Sequence, residues 1–240
     1  MNVSDYIIEY FAKKGIKHVF LVSGGGCMHL VDAIGKNKEV EYVCNHHEQA
    51  CAMATEGYAR MSDGVGACIV TTGPGGTNAI TGLMGCWTDS IPTVFISGQV
   101  STNQTLSATG LNVRQIGDQE ADIISIVKPL TKYAVMVTDP NMIKLHLDEA
   151  FHEATTGRKG PVWLDIPLNV QSAKINPQSL ISISKEPHLP KPTSAQIKKV
   201  VDKIKQASKP LLIVGNGVRL SGCIPEMKKF LELSKMPTVT

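Results

Sequence analysis

Glu48 is the side chain in this sequence best placed to do chemistry. It follows a short apolar stretch, residues 40–44, and the pair His46-His47, and it opens a run of small residues that ends in Glu56-Gly57-Tyr58-Ala59-Arg60. A carboxylate at such a strand-to-helix junction sits where α/β folds place their ligands. The same position meets the positive end of the helix dipole, an effect worth roughly 0.3–1 kcal/mol, so a purely structural part for Glu48 fits the local sequence as well. A second junction of this kind is Thr71-Thr72-Gly73-Pro74-Gly75-Gly76-Thr77-Asn78. Its glycines and its proline of fixed φ let backbone come close to a flat ring, and Asn78 offers both a donor and an acceptor. Gly24-Gly25-Gly26 lies in a third junction but lacks the Gly-x-Gly-x-x-Gly spacing of a dinucleotide loop. Two further sets are Asp118-Gln119, in a polar stretch, and Arg158, between Gly157 and Lys159-Gly160. His46 and His47 are adjacent, so their side chains cannot converge from one helix face, and no spacing suits a structural metal.

These residues have to be positioned by regular elements, and the apolar pattern supplies them. Helical patterns alternate with short apolar runs. A first helix is capped by Ser4 and ends at Gly15; strands follow at 18–23, 40–44, 67–71, 93–97, 132–137 and 161–166. The helix opened by Glu48 runs to about 63, and others cover 77–89, 121–127 and 140–156. Residues 100–120 read as a long loop beside a site. This βαβα order predicts an α/β fold, a doubly wound and mostly parallel sheet with right-handed crossovers. Residues 168–193, with Pro177, Pro187, Pro190 and Pro192, read as a linker. Beyond it, a helix capped by Ser194, a strand at 211–214, the turn Gly215-Asn216-Gly217, a helix at 226–233 and a strand from 237 form the incomplete start of a second α/β domain, which has too little sheet to bury a core.

The 240 residues are 42% hydrophobic and 19% charged, ordinary for a soluble globular protein. A net charge of +3 gives no reason to expect nucleic acid or an acidic membrane as partner. The six cysteines, Cys27, Cys44, Cys51, Cys68, Cys86 and Cys223, form no Cys-x-x-Cys pair and read as buried free thiols of a reducing compartment, which predicts a cytoplasmic protein. The first residues lack the pattern of a signal peptide, and no apolar run approaches the ~20 residues that span a bilayer.

Taken in order, the Glu48 segment, the Thr71–Asn78 turn, Asp89-Ser90-Ile91-Pro92 and Gly157-Arg158-Lys159-Gly160-Pro161-Val162 resemble the N-terminal, pyrimidine-binding domain of thiamine-diphosphate enzymes of the acetolactate synthase group. The resemblance covers roughly residues 1–170 and continues weakly to the end. It implies a thiamine-diphosphate-binding fold with a pyrimidine-binding domain at 1–167, a linker at 168–193 and the start of the central domain at 194–240. It implies an enzyme, transferase or lyase, that decarboxylates a 2-oxo acid and ligates the resulting enamine to a second carbonyl. Glu48 is then the carboxyl that exchanges a proton with N1′ of the pyrimidine; shielding from water strengthens that hydrogen bond. Gly25, Gly26, Gly73, Pro74 and Asn78 would line the ring, and Gln119 would face cofactor and substrate. Arg158 matches an arginine that touches FAD in flavin-containing members, and His47 and Asp118 would face the substrate.

The sequence also departs from that pattern. The first loop carries Ser23-Gly24 where the group has a proline, and Asp118 stands in place of a phenylalanine, which turns an apolar wall into a carboxylate. The Gly-Asp-Gly…Asn stretch that holds Mg²⁺ and the diphosphate in the family is not found, so the resemblance implies that those groups are held by the diphosphate-binding domain of a second subunit in a homodimer or tetramer, and that this piece is inactive alone. Two other arrangements share the same fold: a short subunit of a two-chain 2-oxo acid decarboxylase, and a non-catalytic binding module.

Overall fold

The computed structural model describes residues 1–183 and 191–240. Two compact units divide the chain, Met1–Glu186 and Pro187–Thr240. The first holds a six-stranded sheet: β1 (His18–Leu21), β2 (Glu41–Cys44), β3 (Gly66–Val70), β4 (Thr93–Gln99), β5 (Tyr133–Met136) and β6 (Pro161–Pro167). Their order in space is β2-β1-β3-β4-β6-β5, and every neighbouring pair is parallel. This is the doubly wound parallel sheet that the alternating pattern predicts. Strands β3, β4 and β6 are buried along their whole length, which is why their sequences are mostly apolar without a strict alternation; Thr93, Ser97, Gln99 and Asp165 are polar side chains buried in them.

Two apolar layers cover the sheet. On one face, α1 (Val3–Lys13), α2 (Met28–Lys36) and, later in the chain, the helices at Ile143–Thr155 and Leu168–Ser172 pack on Val19, Leu21, Ala67, Ile69, Val94, Ile96, Val162, Leu164 and Ile166. The opposite face presents Cys68, Val70, Phe95 and Trp163 to α3 (Glu48–Ser62), to α4 (Pro74–Asn78) with its neighbour α5 (Ile80–Thr88), and to the helix at Ile123–Val127. Phe95 and Trp163 stack with ring centroids 5.2 Å apart on adjacent strands. In chain order α6 is Leu106–Thr109, α7 Ile123–Val127, α8 Ile143–Thr155 and α9 Leu168–Ser172. Helix α3 is pinned to the sheet by Thr55, whose hydroxyl donates to Cys51 O at 2.8 Å and to Ala67 O at 3.3 Å.

Several local expectations are corrected. Helix α1 is capped by Asn2, not Ser4: Asn2 accepts from Asp5 N at 2.7 Å and the Asp5 carboxylate accepts in return from Asn2 N. Ser4 is buried, and its hydroxyl donates to Gln171 O. The helix expected over 77–89 is two, broken at Ala79 between α4 and α5. Four of the cysteines are buried free thiols, but Cys44 and Cys223 are exposed.

Part of the stretch that reads as a linker is ordered: α9 packs through buried Val170, and Ile175 and Leu180 are buried as well. Lys174 bridges to Asn2. The prolines masked the apolar spacing of these three side chains. Residues 184–190 of that stretch, with Pro187 and Pro190, lie outside the described residues.

In the second unit, α10 (Ser194–Gln206), α11 (Gly217–Leu220) and α12 (Ile224–Ser234) accompany a parallel pair, β7 (Leu212–Ile213) and β8 (Thr238–Val239). The cap of α10 is Thr193, in a capping box with Gln196, rather than Ser194. Ile213 is 75% exposed and Leu233 76%, so this unit buries little of its apolar surface. Among the described residues no helix is long and apolar enough to cross a membrane.

Candidate functional site

Strand order reverses between β1 and β3, because the chain moves outward from β1 to β2 and then resumes on the other side of β1. Ligands of open α/β sheets settle in the crevice outside the carboxyl ends of strands at such a point. Here β1 leads into Gly24-Gly25-Gly26, and β3 leads into the Thr71–Asn78 turn. Both line a cavity of about 430 Å³, together with Met28, Asp118 and Gln119.

The two loops are locked to each other. Thr71 Oγ1 accepts from Gly26 N at 3.0 Å. The Gly26 carbonyl accepts from Gln171 Nε2 at 2.7 Å, and the same nitrogen donates to Ile166 O at 2.7 Å. Gln171 is fully buried, so α9 clamps the glycine loop onto the end of β6. The Gly26 carbonyl also lies directly over Gly98 of β4, where a Cβ would overlap it. Gly98→Ala is therefore expected to destabilise the protein by about 1–3 kcal/mol and to free the glycine loop. Thermal denaturation with amide exchange at residues 24–27 checks this; an unchanged melting temperature and unchanged exchange there would refute the clamp.

Gly73 opens the other loop with φ +55°. A Cβ on it would run into the carbonyl of Gln119, which itself has φ +56°. This close approach brings the 100–120 loop onto the turn. Glu120 fixes the loop from within by accepting from Leu106 N at 2.6 Å and from Ile116 N at 3.1 Å.

Glu48 occupies the first position of α3, after His47, whose Nδ1 accepts from Gln49 N at 3.1 Å as the helix cap. The Glu48 carboxylate reaches the Pro74-Gly75 turn. Its Oε2 accepts from Asn78 Nδ2 at 2.9 Å, while Oε1 lies 3.5 Å from where a Gly75 Cβ would be. Among the described residues Oε1 has no hydrogen-bond partner. The side chain is half-buried, so the shielding expected of it is incomplete within this chain.

The structure thus gathers the expected residues, except His47 and Arg158, into two adjoining groups; His47 is exposed and its ring caps α3. Gly25, Gly26, Asp118 and Gln119 line the cavity; Glu48, Asn78, Pro74 and Gly73 form its neighbouring turn. Arg158 is not among them. It is exposed, donates from Nε to Ser90 Oγ at 2.8 Å, and lines a separate cavity of about 460 Å³ with Trp87, Lys132 and Lys159. Gln171 was not evident from the sequence, where it falls in the stretch that reads as a linker. Among the described residues no group of three or more His, Cys, Asp or Glu side chains is arranged to hold a metal.

An aminopyrimidine ring fits this chemistry. Its ring nitrogen can share a proton with the open Glu48 oxygen, and Gly25 in the cavity wall has nothing within 4 Å of where a Cβ would stand, which leaves room for a flat face.

Comparison with known proteins gives the same direction. The family model for the thiamine pyrophosphate enzyme, N-terminal TPP binding domain, matches residues 1–126. The acetolactate synthase large subunit of Corynebacterium glutamicum is 40% identical over 243 residues, covering 100% of this chain and 37% of that protein. The isozyme 2 large subunit of Escherichia coli K12 is 35% identical over 99% of this chain and 41% of its own length. The chloroplastic acetolactate synthase of Arabidopsis thaliana is 34% identical over 99% of this chain and 34% of its own. The chain thus corresponds to the N-terminal part of these relatives and spans well under half of their length.

Proposed function

The chain belongs to the family of the thiamine pyrophosphate enzyme N-terminal TPP-binding domain, and on that premise we propose that it supplies the pyrimidine side of the cofactor site in an enzyme that decarboxylates a 2-oxo acid and joins the product to a second carbonyl, as an acetolactate synthase does. The observation that carries this reading is the Glu48 carboxylate, held by Asn78 through one oxygen and open at the other beside the Pro74-Gly75 turn. When bound, thiamine diphosphate supplies the electron sink for loss of the carboxylate from the 2-oxo acid. Glu48 then holds and returns a proton through Oε1, and Asn78 keeps that oxygen turned toward the turn. Gly25, Gly26, Gly73 and Pro74 admit the ring, and Gln119 and Asp118 face the substrate side of the cavity.

In this reading 1–167 form the pyrimidine-binding domain and 194–240 begin a central domain, supported by relatives whose similarity runs through the whole chain. Mg²⁺ and the diphosphate are held by the corresponding domain of a second subunit, in a cytoplasmic homodimer or tetramer. Two observations support the partner: half-buried Glu48 needs a cover, and apolar side chains on α3 and α5, among them Met53, Met84 and Trp87, are exposed. Arg158, with Lys132 and Lys159 around Trp87, is where FAD would be met if this enzyme carries it. The test is a product assay on the whole protein with thiamine diphosphate, Mg²⁺ and a panel of 2-oxo acids. We expect carbon dioxide release with a carboligated product; no turnover of any 2-oxo acid by cofactor-saturated protein refutes the reading.

A further inference from the structure

Gln99, the last residue of β4, is 3% exposed and uses its whole hydrogen-bonding capacity. Its Oε1 accepts from Thr72 Oγ1 at 2.7 Å and from Val100 N at 3.1 Å, while Nε2 donates to Ala121 O at 2.9 Å and to Asp165 Oδ2 at 3.1 Å. Its partners outside β4's own exit come from three places: the turn after β3, the end of the loop carrying Gln119, and β6. Thr72 and Gln119 both line the cavity at the strand-order reversal.

Asp165 is 1% exposed. Its Oδ1 accepts from Ser97 Oγ at 2.6 Å, and Ser97 Oγ accepts from Trp163 Nε1 at 2.8 Å. The single Ser97 proton therefore points at Asp165, and both carboxylate oxygens face donors. A proton on Oδ1 requires Ser97, which already accepts from Trp163, to turn its own proton away from its one acceptor among the described residues, whereas a proton on Oδ2 meets Gln99 Nε2 as donor against donor. The longer bond, to Gln99, is the one that yields. The carboxylate borders a cavity of about 530 Å³, lined also by Arg114, Glu120 and Asp122. Asp122 at the head of α7 and Glu120 and Arg114 on the loop are the charged groups facing it, whereas β4 presents Ser97 and Gln99 and β5 presents Met136. Burial pushes its pKa up to about 7, and the Asp122 charge adds to that.

We propose that Gln99, keyed by Asp165, is a positioning residue that holds Thr72 and the Gln119 loop against the cavity, and that protonation of Asp165 releases that hold. The identity of the cavity's ligand rests on the function proposed above; the coupling itself does not.

The test follows the Trp163 indole N–H resonance of the whole protein, assigned by its loss in Trp163→Phe, together with amide exchange at residues 118–122 corrected for intrinsic rates. In the wild type the resonance is expected to shift with a midpoint near pH 7, with the loop amides less protected below it. Asp165→Asn, which sets an amide nitrogen against Gln99 Nε2, removes the titration and leaves the loop unprotected at every pH. Gln99→Met keeps the Trp163 titration but loses the loop protection. Both variants are expected to bind thiamine diphosphate about tenfold more weakly, the size of effect that follows from one lost buried hydrogen bond.

The proposal is overturned if Trp163 titrates while the loop does not follow, or if Gln99→Met leaves loop exchange as in the wild type. A wild type that does not bind thiamine diphosphate sinks the functional reading, and the coupling is then decided by the resonance and the exchange, which need no cofactor. If Asp165→Asn does not fold, Gln99→Met and the wild-type pH series still decide it.

Discussion

Glu48→Gln is expected to lower kcat of the whole protein by about 10²–10⁴-fold, the range for removing a general acid–base group, with the fold retained. The amide preserves the shape and still accepts from Asn78 Nδ2, whose bond to Glu48 measures 2.9 Å. What it would lose, on the role proposed above, is the capacity to take up and return a proton at the oxygen that has no partner among the described residues. The stability change should stay within the roughly 0.3–1 kcal/mol that a helix dipole gains from a first-turn carboxylate. Steady-state kinetics at saturating cofactor, with thermal denaturation as the control, read both quantities. Wild-type kcat in Glu48→Gln would reduce the residue to a helix-terminus charge.

The second large effect is expected from Gly73→Ala. The residue has φ +55°, a region in which a side chain costs on the order of 1 kcal/mol or more. The added methyl also lands on the Gln119 carbonyl, so relief of either strain moves the turn or the loop. A loss of about 2–4 kcal/mol follows from the two terms together. The same displacement separates Pro74 and Asn78 from the loop, so thiamine diphosphate affinity should fall with stability. A Gly73→Ala protein with wild-type melting temperature and cofactor affinity would mean that the Gly73–Gln119 approach does not shape the site.

The sheet was legible because burial on both faces leaves an unmistakable mark: residues 66–70 and 161–167 are continuous apolar runs broken mainly by glycine, proline or a single polar residue. The glycine-bearing junctions after β1 and β3 were legible for the same reason, since turns at parallel strand ends need small residues. Buried polar side chains were not. Asp165 read simply as a strand residue, and Gln99 fell beyond the expected strand end at 97, although a charged side chain inside so apolar a run as 161–167 is itself a signal that partners lie across the sheet. Gln171 was hidden by the prolines around it. The cap of α1 was misassigned because Ser4 is a good capping residue by type, whereas Asn2 and Asp5 satisfy each other reciprocally. Arg158 is distant from the glycine loops because β6 starts at Pro161, at the amino end of a strand whose carboxyl end faces the cavity side. The shielding expected of Glu48 was not legible in local sequence, and the described residues leave the side chain half-buried.

The central claim is tested most directly by a structure of the whole protein with thiamine diphosphate bound. The account predicts the pyrimidine N1′ within hydrogen-bond distance, about 2.6–3.0 Å, of Glu48 Oε1, with the ring lying against Pro74. A ring bound elsewhere, or one whose N1′ faces another group while Glu48 stays turned to Asn78 alone, would contradict it.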